Sequence, residues 1–414
     1  MKNILIVGGG AAGLMAAYTA AADGGRVTLL EKMPALGRKL LITGKGRCNI
    51  TNTCDLSSFI KNMPGNGPFL YSALNAFSNQ AVMTFLEEWG VPVKVERGGR
   101  VFPVSDKARD VVAAFERALT AAAVEVKTGV QVTEISTEAG AVTGVRTAKG
   151  ITYRADAVIL ATGGASYPGT GSSGDGYRIA KALGHAVVPL KPSLVPLEVA
   201  EDWITELQGL ALKNVSATVL FAGMKQSSEF GEMLFTHYGL SGPIVLSLSN
   251  VVSRVLQQKD KGEVLVEINL KPALSSEQLD KRLQRDFAKF ARKQFKNSLN
   301  ELLPSRLIDI IIDLSHIDPE KPVHQITKEE RNRLVYELQH LTFTITGTRP
   351  LAEAIVTAGG INTKEINPRR MESKLVKGLF LAGEVIDIDG YTGGFNLQAA
   401  FSTGFVAGRA AVQE

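Results

Sequence analysis

The residues best placed to do chemistry stand near the start of the chain. Gly8-Gly9-Gly10-Ala11-Ala12-Gly13 satisfies the pattern GxGxxG, and a carboxylate, Glu31, closes the next apolar run. In a dinucleotide site the first glycine permits a tight turn, the second lets backbone approach a pyrophosphate, and the third lets helix and strand pack closely. The unsatisfied N–H groups of the following helix then face the phosphates. A carboxylate at Glu31 would accept hydrogen bonds from a ribose 2′-hydroxyl and repel a 2′-phosphate, which favours FAD or NAD over NADP. The bland alternative is a glycine turn in an ordinary α/β protein. Context argues against it: Ile4-Leu5-Ile6-Val7 reads as a buried strand, Leu14 to Ala22 as a helix, and Val27 to Leu30 as the second strand. A second formal match, Gly169-Thr170-Gly171-Ser172-Ser173-Gly174, follows no strand directly and reads as spurious.

The elements that must position such a site recur at the two ends of the chain. Ala157 to Thr162 is another apolar strand that runs into Gly163-Gly164, and Leu379 to Ala382 runs into Gly383-Glu384. Asn396 to Val412 reads as the last helix. Between the ends, Asn52 to Leu74 reads as loop, Gln80 to Trp89 and Asp106 to Ala123 as helices, and Val91 to Pro103 as two short strands. Val124 to Lys127 and Val130 to Ile135 follow as strands. From Lys191 the pattern changes to alternating strands, Val215 to Phe221 and Val264 to Leu270, with Leu341-Phe343-Ile345 able to close a β region. Ser275 to Leu302 reads as one long helix, and Ser305 to Leu314 and Thr327 to His340 as two more. The economical reading is a Rossmann-like domain interrupted from about Lys191 to Pro350.

The totals narrow the class. The 414 residues are 45% hydrophobic and 21% charged, enough for two or three domains with a sizeable core. The net charge of +5 is a weak pointer to a polyanionic ligand, and FAD, NADPH and RNA all qualify. Two cysteines, Cys48 and Cys54, make neither a disulfide framework nor a CxxC pair, so a reducing, cytoplasmic setting is expected. No signal peptide or uninterrupted apolar span is visible, so no membrane association is expected.

Three further blocks choose FAD over NAD. They are Gly37-Arg38-Lys39-Leu40-Leu41-Ile42-Thr43-Gly44-Lys45-Gly46-Arg47-Cys48-Asn49; Ala161-Thr162-Gly163-Gly164; and Gly383-Glu384-Val385-Ile386-Asp387 followed by Gly393-Gly394-Phe395-Asn396-Leu397-Gln398. In this order and spacing the chain resembles the BaiN/RdsA family of FAD-dependent oxidoreductases, also described as aminoacetone-oxidase-like. The resemblance includes Leu234-Phe235-Thr236-His237-Tyr238-Gly239-Leu240-Ser241-Gly242-Pro243 and covers nearly the whole chain. It implies an α/β fold: a glutathione-reductase-like FAD domain over 1–190 and 351–414, a β-barrel insertion over 191–272 and 341–350, and a helical insertion over 273–340. It also implies that FAD is surrounded by Gly8, Gly10, Ala12, Gly13, Glu31, Lys32, Arg38, Lys39, Thr43, Gly44, Gly46, Arg47, Cys48 and Asn49. Val132, Ala161, Thr162, Gly163, Gly383, Glu384, Asp387, Gly394, Asn396, Leu397 and Gln398 complete the implied set. No metal is implied.

Arg38, Lys39, Lys45 and Arg47 suit a pyrophosphate and ribityl site, although a basic loop can simply be solvated. Gly393-Gly394 precedes the last helix, whose N-terminus could stabilise reduced flavin; the alternative is a plain turn. Cys48 is the sharpest catalytic candidate: Arg47 beside it would lower its pKa, and it could donate a proton opposite a flavin hydride. Its alternative is a small buried residue that packs the loop. His237 and Tyr238 could bind substrate or be structural, and Tyr391 could be a lid or a packing residue. Lys281, Arg285, Lys289, Arg292 and Lys296 recur at helical spacing within 275–298, opposite Leu279, Leu283, Phe287 and Phe290. That stripe is a solvated face or a contact for ribosomal RNA; no DNA contact is expected. Three functions remain open on these residues. One is reduction of an activated C=C bond in a small molecule or an RNA uridine, with NAD(P)H as transient donor. The second is an oxygen-linked amine oxidase, and the third a non-enzymatic flavin- or RNA-binding protein.

Overall fold

Ile4 to Val7 has no polar face to give to water, and the chain buries it at the middle of a seven-stranded sheet. A computed structural model describes residues 1–256 and 262–413. In the sheet, Asn3–Val7 lies between Arg26–Glu31 and Ala157–Leu160, all parallel, so that Ile6 stands between Leu29 and Ile159. Glu125–Thr128 extends one side and Leu379–Leu381 the other, again parallel, beyond which Glu372–Ser373 and Ile366–Asn367 add an antiparallel edge. The four residues of Ala157–Leu160 are all buried, as expected where helices or sheets cover both faces.

Two helices cover the sheet beside the glycine turn, Ala11–Ala22 and Phe395–Val412. They meet backbone to backbone: a Cβ at Gly404 would lie 2.3 Å from the Ala12 carbonyl oxygen. The C-terminal helix is thus locked to the N-terminal one, which is how the two ends of the chain come to share one site. Two three-stranded sheets flank this core, one from Val132–Glu138, Ala141–Thr147 and Thr152–Arg154, the other from Thr51–Asn52, Arg100–Pro103 and Val93–Glu96. The stretch expected as loop over Asn52 to Leu74 is partly helical instead. Asp55 caps Leu56–Lys61 by accepting from Ser58 N, and Tyr71–Ala76 forms a further helix. Pro64, Gly65, Gly67 and Pro68 punctuate the space between these helices without abolishing them.

The chain divides into two compact units, Met1–Ser193 with Leu351–Glu414, and Leu194–Pro350. The second unit holds a closed six-stranded barrel in the order Leu197–Val199, Gly239–Ser241, Met224–Thr236, Ala211–Phe221, Val264–Asn269, Leu341–Thr348. Its interior is built by period-two alternation: Val215, Ala217 and Val219, then Val264, Val266 and Ile268, then Leu341, Phe343 and Ile345 are buried. A helix over Pro243–Val255, which the sequence reading lacked, buries Leu248 and Val252. Three helices follow, Ser276–Lys289, Ser305–Ser315 and Lys328–Gln339, the first and last opened by capping boxes.

The expected long helix from Ser275 to Leu302 is corrected here: it stops at Lys289. Phe295 N donates to Lys321 O and Lys296 N to Pro319 O, so tertiary pairing takes the donors that would have continued the helix. Phe295 is thereby buried, as it could not be on a straight continuation. The basic stripe is broken as a consequence. Lys289 pairs with Glu301 and Lys296 with Glu320, while Lys281 and Arg285 remain exposed on the helix. No helix among the described residues is long and apolar enough to cross a membrane.

Candidate functional site

The glycine turn leaves the central strand at the carboxyl edge of the parallel sheet, where open α/β sheets place ligands. Gly8 has φ +109°, and its N–H reaches Leu30 O at 2.9 Å. At Gly13 a Cβ would stand 1.8 Å from Gly8 O, so helix and turn are in direct backbone contact. Gly10 differs from both: a Cβ there would meet nothing within 4 Å. The space in front of Gly10 is therefore open to a ligand, and the helix Ala11–Ala22 begins there without any side-chain cap. Its first N–H groups, that of Ala12 included, have no carbonyl inside the helix.

Glu31 closes the strand Arg26–Glu31 and turns its carboxylate back on the loop. One oxygen accepts from Gly9 N at 2.6 Å, the other from Met33 N at 2.7 Å. Each oxygen keeps acceptor capacity for a ribose hydroxyl. A cleft runs on from Glu31, bounded by Lys32, Val132, Thr162, Gly171 and Asp175. Thr162 Oγ1, packed against Gly176, and Ser172 Oγ, packed against Gly163, are buried without a hydrogen-bond partner among the described residues. Ala161 N is taken by Val7 O, and Gly163 with φ +73° swings the chain away from the sheet.

The second half of the site joins residues more than three hundred positions apart. Lys39 Nζ donates to Glu384 at 2.7 Å and to Ser166 Oγ at 2.8 Å, while Glu384 also accepts from Thr357 N at 2.8 Å. Gly383, at φ +77°, brings Glu384 into this position, and Tyr177 Oη donates to the Glu384 carbonyl at 3.1 Å. Asp387 accepts from the Asn66 amide at 2.9 Å; burial, with Asp389 nearby, pushes its carboxyl above the usual range. Gly394, at φ +99°, opens the helix Phe395–Val412, again with no side-chain cap. Oriented so that donors meet acceptors, the Asn49 amide donates to Val101 O and Thr51 O and accepts from Gly394 N at 3.0 Å. This ties the loop after Thr43 to the start of the last helix.

Several expected site residues are spent on holding the site together. Asn396 pins the loop before it, accepting from Gly390 N and donating to Gly390 O, each at 2.8 Å. Gln398 is fully buried, accepting from Thr51 Oγ1 at 2.6 Å and donating to Phe77 O at 3.0 Å, while Leu397 beside it is partly exposed. Thr43 Oγ1 returns to Leu40 O at 2.7 Å, and Gly44 and Gly46 supply positive φ for the turn that follows. Arg38 reaches Gly169 O at 3.4 Å, and Lys45 is exposed.

Arg47 does not serve Cys48. It pairs with Glu96, donates to Asp106 at 2.6 Å, and lies 4.1 Å over the Phe102 ring. The expected lowering of the Cys48 thiol is therefore reversed: complete burial pushes it up to about 12, against a weaker opposing bond from Thr43. In the second unit, His237 meets the Tyr238 ring edge-on at 4.8 Å, and Arg349 stacks on Tyr238 at 4.6 Å while pairing with Glu198 at 2.8 Å. Ser166, Ser172, Asp175 and Thr357 were not singled out from the sequence. Ser172 lies within the second glycine motif and Asp175 directly after it; the motif is no Rossmann turn but a 3₁₀ turn over Pro168–Thr170 leading into the helix Asp175–Ala182.

These residues fit a flavin dinucleotide. An open approach at Gly10, a ribose-competent carboxylate and two uncapped helix starts supply what its phosphates and ribose need. The sequence profile described as HI0933-like protein Rossmann domain matches residues 2–410. The chain belongs to this family, the BaiN/RdsA group. It is 34% identical over the full length of both chains to a 3-dehydro-bile acid delta(4,6)-reductase of Clostridium scindens. It is 31% identical to the ribosomal RNA dihydrouridine synthases of Haemophilus influenzae and Escherichia coli, covering 97% of this chain and 96% of each relative. In fold it is similar to a 3-ketosteroid-delta4-(5alpha)-dehydrogenase from Rhodococcus jostii RHA1, with a TM-score of 0.55 at 15% identity over 100% of this chain and 97% of that one. A flavocytochrome c3 fumarate reductase aligns with a TM-score of 0.53 at 16% identity, over 100% and 78%. The family makes this chain an FAD-dependent oxidoreductase with a Rossmann-type FAD domain. When bound, FAD supplies the electron or hydride transfer, and the protein supplies position and charge.

Proposed function

We propose that this enzyme reduces a C=C bond conjugated to a carbonyl, taking electrons from NAD(P)H through FAD. One observation carries the reading: near-complete alignment with relatives named for a delta(4,6)-reductase and for dihydrouridine synthesis. Both chemistries add two electrons and two protons across such a double bond. The uncapped start of Phe395–Val412 supports it, since a helix N-terminus stabilises the charge that reduced flavin acquires. The second glycine motif lacks the preceding strand of a dinucleotide fold, so NAD(P)H and substrate would use the flavin in turn. A cytoplasmic location accords with Cys48 and Cys54 both being free thiols.

The test is anaerobic. NADPH or NADH should bleach the flavin, and a conjugated enone or a uridine-containing ribosomal RNA should restore its colour. Bleaching by an amine, with peroxide formed in air, would instead identify an amine oxidase. Mass spectrometry of ribosomal RNA from cells lacking the protein separates the two substrates: a missing dihydrouridine selects RNA, and an unchanged profile selects the small molecule. The basic helix is tested through Lys281→Glu with Arg285→Glu. Weakened RNA binding at full FAD content would support a role for that face, and unaltered binding would remove it.

A further inference from the structure

The strand that ends in Glu31 is followed at once by Lys32, whose ammonium reaches a residue 143 positions away. It pairs with Asp175 at 2.7 Å and donates to Ser173 Oγ as well. Both charged side chains are about one-fifth exposed, 22% for Lys32 and 21% for Asp175. Lys32 and Asp175 both line the cleft that begins at Glu31. Three other groups face the Asp175 carboxylate: Ser173 Oγ, which donates to it at 3.1 Å, Gln131 Nε2 at 3.4 Å, and Arg178 at 3.6 Å with its side chain 60% exposed.

The segment that Lys32 holds is otherwise tied mainly to itself. Thr170 N bonds to Tyr167 O, Gly171 N to Pro168 O and Ser173 N to Gly171 O, while Gly174 N reaches Gly164 O. A segment closed by such local bonds can move as a unit at low cost. Its links to the sheet edge are a close approach of Gly171 to Met33, a long bond from Arg38 to Gly169 O, and the Lys32 ion pair. The same segment carries Ser172, whose buried hydroxyl lies against Gly163 and has no partner among the described residues.

We infer that the Lys32–Asp175 ion pair is a clasp across the adenosine cleft, joining the ribose edge of the sheet to the start of the helix Asp175–Ala182, where the 169–174 loop ends, and that its opening governs how fast FAD leaves. The inference concerns retention of the cofactor and is independent of which substrate is reduced. It makes Lys32 and Asp175 positioning residues and gives the second glycine motif a purpose: a mobile wall.

The experiment follows FAD release from the holoenzyme after dilution, as the rise in flavin fluorescence. Lys32→Met and Asp175→Asn should each speed release about fivefold, the scale of one partly exposed ion pair. The double variant should be no faster than either single one, because both remove the same contact. Raising salt should speed release more in the parent than in the double variant. The charge-reversed pair, Lys32→Asp with Asp175→Lys, should return the rate to within about twofold of the parent, a rescue that damage to the fold would not give. Unchanged release in both single variants, or fully additive effects in the double, would overturn the clasp. Should one single variant fail to fold, the other together with the salt comparison still decides. A parent protein that binds no FAD would refute the cofactor assignment instead, and flavin stoichiometry reads that separately.

Discussion

Replacing Gly10 by Ala separates binding from folding more cleanly than any other change at this site. Gly10 has φ −85° and ψ −172°, which alanine adopts freely, and the added Cβ meets no protein atom within 4 Å. Folding should therefore change little: the gain from a stiffer unfolded chain and the loss of a better N-cap residue are each about 1 kcal/mol or less and oppose one another. The methyl group does occupy the space through which a pyrophosphate must reach the helix N-terminus. Crowding a fitted contact costs about 1–3 kcal/mol, so FAD affinity should fall by roughly fivefold to 150-fold. Gly13→Ala is the contrast, because its Cβ would stand 1.8 Å from Gly8 O, about half of an ordinary separation of roughly 3.5 Å. That variant should lose more than about 3 kcal/mol of stability with or without cofactor. The assay is urea unfolding of the apoproteins, since bound ligand raises apparent stability, alongside FAD titration by flavin fluorescence. A Gly10→Ala protein with parental FAD affinity would refute the pyrophosphate cradle.

Other consequences follow from the same geometry. Glu31→Ala removes the acceptor for Gly9 N and Met33 N as well as the ribose partner, so FAD affinity should drop at least about tenfold and the apoprotein should also lose about 1–2 kcal/mol; isothermal titration and urea melts read the two losses. Glu384→Gln leaves the Lys39 ammonium half-buried without its counter-charge and should cost about 2 kcal/mol in urea unfolding. Cys48 should resist iodoacetamide at pH 8 while the partly exposed Cys54 reacts slowly, its thiol also raised by burial and by Asp55. The folded Cys48 thiol sits near 12 against an ordinary 9.0, so the unfolded chain ionises first. Its contribution is complete below pH 9 and is lost as pH rises from 9 toward 12, and Cys48→Ala should flatten that alkaline decline in Tm.

Much of the fold could be read from the residues because its signals are local. The run from Ile4 to Glu31 needs only apolar strands, three glycines and an Ala-rich helix in order, and the structure holds each in that order. Alternation over Val264 to Leu270 and over Leu341 to Ile345 reports a barrel wall for the same reason. Elements with weak local signals are not legible in this way. Leu56–Lys61 depends on the Asp55 cap amid prolines and glycines, and the helix after Ser275 ends where Phe295 finds a pairing partner elsewhere.

What the sequence determined by itself is the kind of site: a glycine turn after a buried strand, an acid after the next strand, and matching blocks near the far end of the chain. Such patterns persist because they depend on residue type and spacing along the backbone. Only the tertiary structure decided where the charges went. Arg47 turned to Glu96 and Asp106 rather than to Cys48, Lys39 was matched by Glu384, and Lys32 crossed the cleft to Asp175. An ion pair or a burial shift depends on which distant residue arrives within a few ångströms, and spacing along a chain does not carry that information.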